Sequence, residues 1–80
     1  MDRKLCSEIK RRIDEGEATG RKVVSFLLQT LIHADTLRSE NVREVCKELG
    51  VKPSFATEFC KMRTMSQLMK EEGLIISRSL

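Results

Sequence analysis

Residues 42–61, VREVCKELGVKPSFATEFCK, decide how this chain folds. Val42, Val45, Cys46 and Leu49 recur at the spacing of one helix face. Gly50 stands where a left-handed glycine ends a helix. Pro53 suits the first turn of a second helix, and Lys52 before it is pushed out of helical geometry. Ala56 and Phe59 supply the inward positions of that second helix. The stretch therefore predicts two short amphipathic helices meeting across a tight turn.

Upstream, Ser39 is the expected N-cap of the earlier of the two helices, ahead of the periodic run that starts at Val42. A helix over residues 19–34 is expected before it. Val23, Val24, Phe26, Leu27, Leu28, Leu31 and Ile32 cover more than half of that cylinder. An apolar arc so wide predicts burial on several sides and a central place in the fold. A first helix is expected over residues 2–14, where Leu5, Ile9 and Ile13 make one narrow stripe among charges. Glu15, Gly16 and Glu17 are expected to end it.

Downstream, the helix that opens at Pro53 meets no breaker before Gly73, so it is expected to run nearly twenty residues, about 28 Å. Residues 74–80 read as a short strand or a frayed tail. The expected fold is thus all-α: one helical domain over residues 1–80, a small bundle of about four helices.

Composition bounds the function. The chain has 80 residues, a formal net charge of +3 and 34% charged side chains. A core of that size supplies only a few kcal/mol of net stability, roughly 3–5, which favours dimers or larger assemblies. The charge is not segregated: residues 1–22 and residues 42–80 each carry seven basic and five acidic side chains. A nucleic-acid partner is permitted, and a dedicated basic arm is excluded. No apolar run approaches the length of a membrane span, and no secretory leader follows Met1. Cys6, Cys46 and Cys60 are odd in number and lack CxxC spacing, and His33 is the sole histidine. Free thiols in a reducing cytoplasm are expected, with no metal and no cofactor.

Residues 42–61 resemble the helix-turn-helix superfamily. In that pattern an apolar residue precedes a small one where the helices cross, and Val45 and Cys46 supply the pair. Leu49, Gly50 and Val51 match the apolar–glycine–apolar turn, and Ala56 and Phe59 match the inward positions beyond it. Cysteine in place of the commoner alanine and alanine in place of a larger aliphatic depart from the pattern. The resemblance implies a module that binds duplex DNA with its second helix in the major groove, for which a transcriptional regulator is the natural role.

By that resemblance, the exposed recognition positions are Lys52, Ser54, Thr57, Glu58 and Lys61. Lys52 and Ser54 would sit at a helix N-terminus whose free N–H groups favour phosphate. Lys61 would reach guanine or a phosphate, and Thr57 a thymine methyl. Glu58 would accept from cytosine or repel the duplex. Arg43 and Lys47 on the preceding helix would hold the backbone. With no Trp or Tyr to stack on bases, duplex DNA is favoured over single strands.

An alternative is a helical protein–protein interaction module with no DNA in its function. Met62, Met65 and Met69 read first as core beside Phe55 and Phe59. A helix this long nonetheless outruns its neighbours. Met65, Leu68, Met69, Leu74 and Ile75 would then remain as the interface of a homodimer or a protein partner. Catalysis has little basis. His33 ends an apolar helix, where the helix dipole favours it, and no nucleophile or paired carboxylate adjoins it in sequence.

Overall fold

The computed structural model describes residues 1–77, and over those residues the chain is all-α. The helices are α1 (Arg3–Ala18), α2 (Lys22–Ile32), α3 (Val42–Leu49) and α4 (Phe55–Glu71). They pack as a ring: α1 lies on α2 and α3, and α4 lies on the same two. α2 and α3 are therefore opposite corners. Ile9 and Ile13 of α1, Phe26 of α2, Val45, Cys46 and Leu49 of α3 and Phe59 of α4 fill the centre, closed by Leu37 from the α2–α3 connection. The rings of Phe26 and Phe55 meet edge to face with centroids 4.9 Å apart, a geometry that adds about 1 kcal/mol to plain burial.

The helix ends explain where sequence and structure part. α1 does not stop at Gly16 but runs through it to Ala18. Gly16 is buried because α2 crosses over it: a Cβ there would lie 2.6 Å from the Ser25 Cβ. The glycine marks close helix approach, not a break. The break comes at Thr19 and Gly20, where Gly20 N–H bonds Glu17 C=O at 3.1 Å and Arg21 N–H bonds Gly16 C=O at 2.6 Å. That reversal takes residues 19–21 out of α2, which begins at Lys22 rather than Thr19.

Nor is α2 buried all round. Phe26, Gln29 and Thr30 face the core, while Val23, Val24 and Leu28 are exposed. Thr30 is accommodated because its hydroxyl donates to Phe26 C=O at 2.9 Å. α2 ends at His33, whose N–H bonds Gln29 C=O at 3.1 Å, and a series of turns leads to α3.

Ser39 is not the N-cap of α3. Asn41 is, its side-chain oxygen accepting the Glu44 N–H at 3.1 Å. Two residues of the same capping class were in range, and the nearer one took the role. The methionines of α4 are not core either. Phe59 is its one fully buried residue, with Met62 and Met69 half-buried and Met65 exposed. Residues 74–77 adopt no regular structure, and the rest of the expected strand or tail, residues 78–80, lies outside the described residues.

Candidate nucleic-acid interface

The site is the α3–turn–α4 unit. α3 buries Val45, Cys46 and Leu49 on one side and turns Arg43, Glu44, Lys47 and Glu48 to solvent. Gly50 closes it at φ 71°. Its N–H bonds Lys47 C=O at 3.1 Å, and the Val51 N–H bonds Cys46 C=O at 3.0 Å. This left-handed closure satisfies two of the carbonyls that a helix end leaves open. A second tight turn follows at once. The Phe55 N–H bonds Lys52 C=O at 2.9 Å, and the Ala56 N–H bonds Pro53 C=O at 3.0 Å.

Those last two bonds correct one expectation. The N–H groups of Phe55 and Ala56 are taken by the turn itself, so the start of α4 offers fewer open donors than a bare helix end. Ser54 stands at the N-cap position with helical dihedrals and makes no side-chain capping bond. Its hydroxyl therefore does not serve the helix.

The expected recognition residues reach solvent together. Lys52, Ser54, Thr57 and Lys61 are exposed along the turn and the first half of α4, and Arg43 and Lys47 are exposed on α3. Arg43 and Lys47 border a shallow groove of about 390 Å³ with Val51 and Pro53, which joins the α3 cations to the turn. Glu58 is half-buried, and its carboxylate takes the Lys61 ammonium at 3.4 Å. An exposed pair of this kind contributes little to stability. It does hold Glu58 against a neighbouring cation rather than leaving it aimed outward alone.

Two residues of the site were not read from the sequence. Lys10 of α1 reaches over the turn, its Nζ 4.0 Å from where a Cβ on Gly50 would sit. The Leu5–Ile9–Ile13 stripe gives the side of α1 on which Lys10 lies but not which helix stands beside it. Arg63 of α4 is the other. One guanidinium nitrogen donates to Leu37 C=O at 2.7 Å and to Glu40 C=O at 2.6 Å. Its centre lies 4.7 Å from the centroid of the Phe59 ring. Charge-assisted bonds and ring contact together stabilise by about 2–3 kcal/mol. They fix the α2–α3 connection, and so the start of α3, against α4.

The thiols are unpaired: Cys46 buried, Cys6 partly buried and Cys60 exposed. Burial pushes the Cys46 thiol pKa up, so it stays protonated in the core. Among the described residues, no three His, Cys, Asp or Glu side chains gather as metal ligands, and no helix is long and apolar enough to cross a membrane. The expected interface residues divide. Met65, Leu68, Leu74 and Ile75 are exposed, whereas Met69 is half-buried in a groove shared with Leu31 and Ile32 of α2.

Among the described residues, a four-helix, all-α fold whose third and fourth helices meet at a left-handed glycine has the helix-turn-helix arrangement. A family model described as an HTH-like domain matches residues 1–72, and the chain belongs to that family. The match takes in α1 and α2 as well as the twenty residues that carry the motif. No curated protein and no solved structure matches the chain.

Proposed function

We propose that this protein is a duplex-DNA-binding module, acting as a small transcriptional regulator in the cytoplasm and not as an enzyme. The observation that carries the reading is the open end of the α3–α4 unit. Lys52, Ser54, Thr57 and Lys61 are exposed with no other helix over them, and Arg43 and Lys47 flank the same turn. In the proposed complex the first two turns of α4 enter the major groove. Thr57 and Lys61, one turn apart, meet base edges, while Lys52, Arg43, Lys47 and Lys10 neutralise phosphates. Ser54, not engaged in capping, is available as a phosphate donor. Three unpaired thiols suit a reducing compartment.

The test is a duplex titration at several salt concentrations. Four or five phosphate contacts give a log–log salt slope of about −4, since each contributes about −0.9. Lys52→Ala should weaken binding across sequences and flatten the slope by about 0.9 while leaving the helical signal unchanged. Lys61→Ala should also relax base preference at one position. Duplex binding that ignores both substitutions would end the proposal. It would leave the interaction module, which the exposed Met65, Leu68, Leu74 and Ile75 favour.

A further inference from the structure

α2 is apolar on both sides. Its inner side carries Phe26 in the core and, beside it, Gln29, 5% exposed, and Thr30, 1% exposed. Its outer side carries the exposed Val23, Val24 and Leu28 and the half-buried Leu31 and Ile32, and no charge, while Leu27 packs against the core. Such a helix in a free-standing bundle would have the polar residues outside. The outer side also continues beyond α2. Leu31 and Ile32 share a groove with Met69 of α4 and with Leu74, Ile75 and Ile76. Exposures of 64% at Val24, 50% at Leu28 and 85% at Ile75 show how little of this face the chain itself covers.

We infer that the outer face of α2, extended by the groove against the end of α4, is the seat of a second copy of this chain. The area fits. The exposed and half-exposed apolar side chains of the face add up to about four free ones. At ~100 Å² apiece, the area implied by ~2.5 kcal/mol per buried aliphatic at ~25 cal/mol per Å², that is on the order of 400 Å². A stable interface covers roughly 800 Å² per partner, somewhat over half of it apolar. The partner's identity follows from the charge pattern. A two-fold interface sets a patch against itself, so any charge near the axis would meet its own image. From Val23 to Ile32 there is none to meet. The charged groups that line the groove, Asp35 and Lys70, already pair with each other.

Two α2 helices crossing about the axis would bury Val24, Leu28 and Ile32 of each copy. Because α2 stands at the corner opposite α3, the assembly leaves both recognition units facing outward. This pairing needs no DNA and stands whether or not the chain binds it.

Sedimentation of the full chain without DNA tests the inference. The chain should pass from monomer to dimer between roughly 1 and 100 µM, and added salt should not reverse the change, because the contact is apolar. Leu28→Glu should weaken association at least about a hundredfold by setting two carboxylates together. Val24→Glu, at a more exposed position, should do the same and guards against a folding defect in the first variant, with circular dichroism as the check. Lys61→Ala should leave the dimer unchanged. A wild-type chain still monomeric at ~100 µM, or a dimer indifferent to both glutamates, would overturn it.

Discussion

α3 and α2 stand at opposite corners of the same core, yet they follow opposite rules. Every buried residue of α3 is apolar and its outer side is charged, so a single wheel plot describes it. α2 buries a glutamine and a threonine beside Phe26 and leaves three aliphatics, Val23, Val24 and Leu28, exposed. The lesson is that apolar periodicity reports burial somewhere, and not burial within one chain. In α3 the periodic face is met by the chain's own α1 and α4. In α2 the chain's own α1 and α4 cover only part of so wide an arc, and Val23, Val24 and Leu28 stay exposed.

The sharpest way to break that comparison is to shorten one leucine on each helix. Leu49 of α3 is 2% exposed and Leu28 of α2 is 50% exposed. Leu49→Ala should cost about 3 kcal/mol in urea unfolding. Leu28→Ala, measured in dilute monomer, should change stability by no more than about 0.5 kcal/mol. Equal losses at both sites would mean that α2 is covered in the free chain after all.

Next in size is the contact that seats α2. Gly16→Ala drives a methyl group into Ser25, and the helices must separate. A loss of about 2 kcal/mol is expected. Ser25→Gly in the same chain should recover part of it, which a double-mutant cycle on urea midpoints reads directly. No recovery would place the strain elsewhere than the α1–α2 crossing.

The smallest effect concerns pH. The Lys70 ammonium beside Asp35, helped by Arg38 at 3.0 Å, holds its carboxyl below the ordinary value of 3.8. A lowered acid stabilises the folded chain at pH above that ordinary value, and the contribution fades as pH falls through the folded one. Asp35→Asn should therefore be slightly less stable than wild type at neutral pH. The difference should shrink as pH falls below 3.8 and through the folded value, as urea midpoints would show. The residue is exposed, so the change is modest. A difference that persists in acid would assign Asp35 a role other than its charge.

The α3–turn–α4 half of the fold was legible because local chemistry dictates it. The Val42–Leu49 periodicity and the left-handed Gly50 set α3 and its end locally, whereas Pro53 lies in the turn ahead of α4, which begins at Phe55, and not in its first turn. What the sequence hid depends on distant neighbours. Gly16 reads as a stop until Ser25 is known to lie against it. Lys10 joins the turn only because α1 packs on α3. The burial of Gln29 and Thr30 was masked by the louder aliphatics around them. The methionines of α4 read as core because their spacing is helical, but α4 outruns the surface available to cover it.

Arg63 lies two residues past the motif that sequence reading isolates, and its bonds to Leu37 and Glu40 reach back ahead of that motif. The geometry of residues 42–61 is thus clamped from both flanks by one side chain. Transplanted into another scaffold without that clamp, the twenty residues would keep their turn and lose their bearing. The portable unit here is the whole helical ring, in keeping with a family match that begins at residue 1.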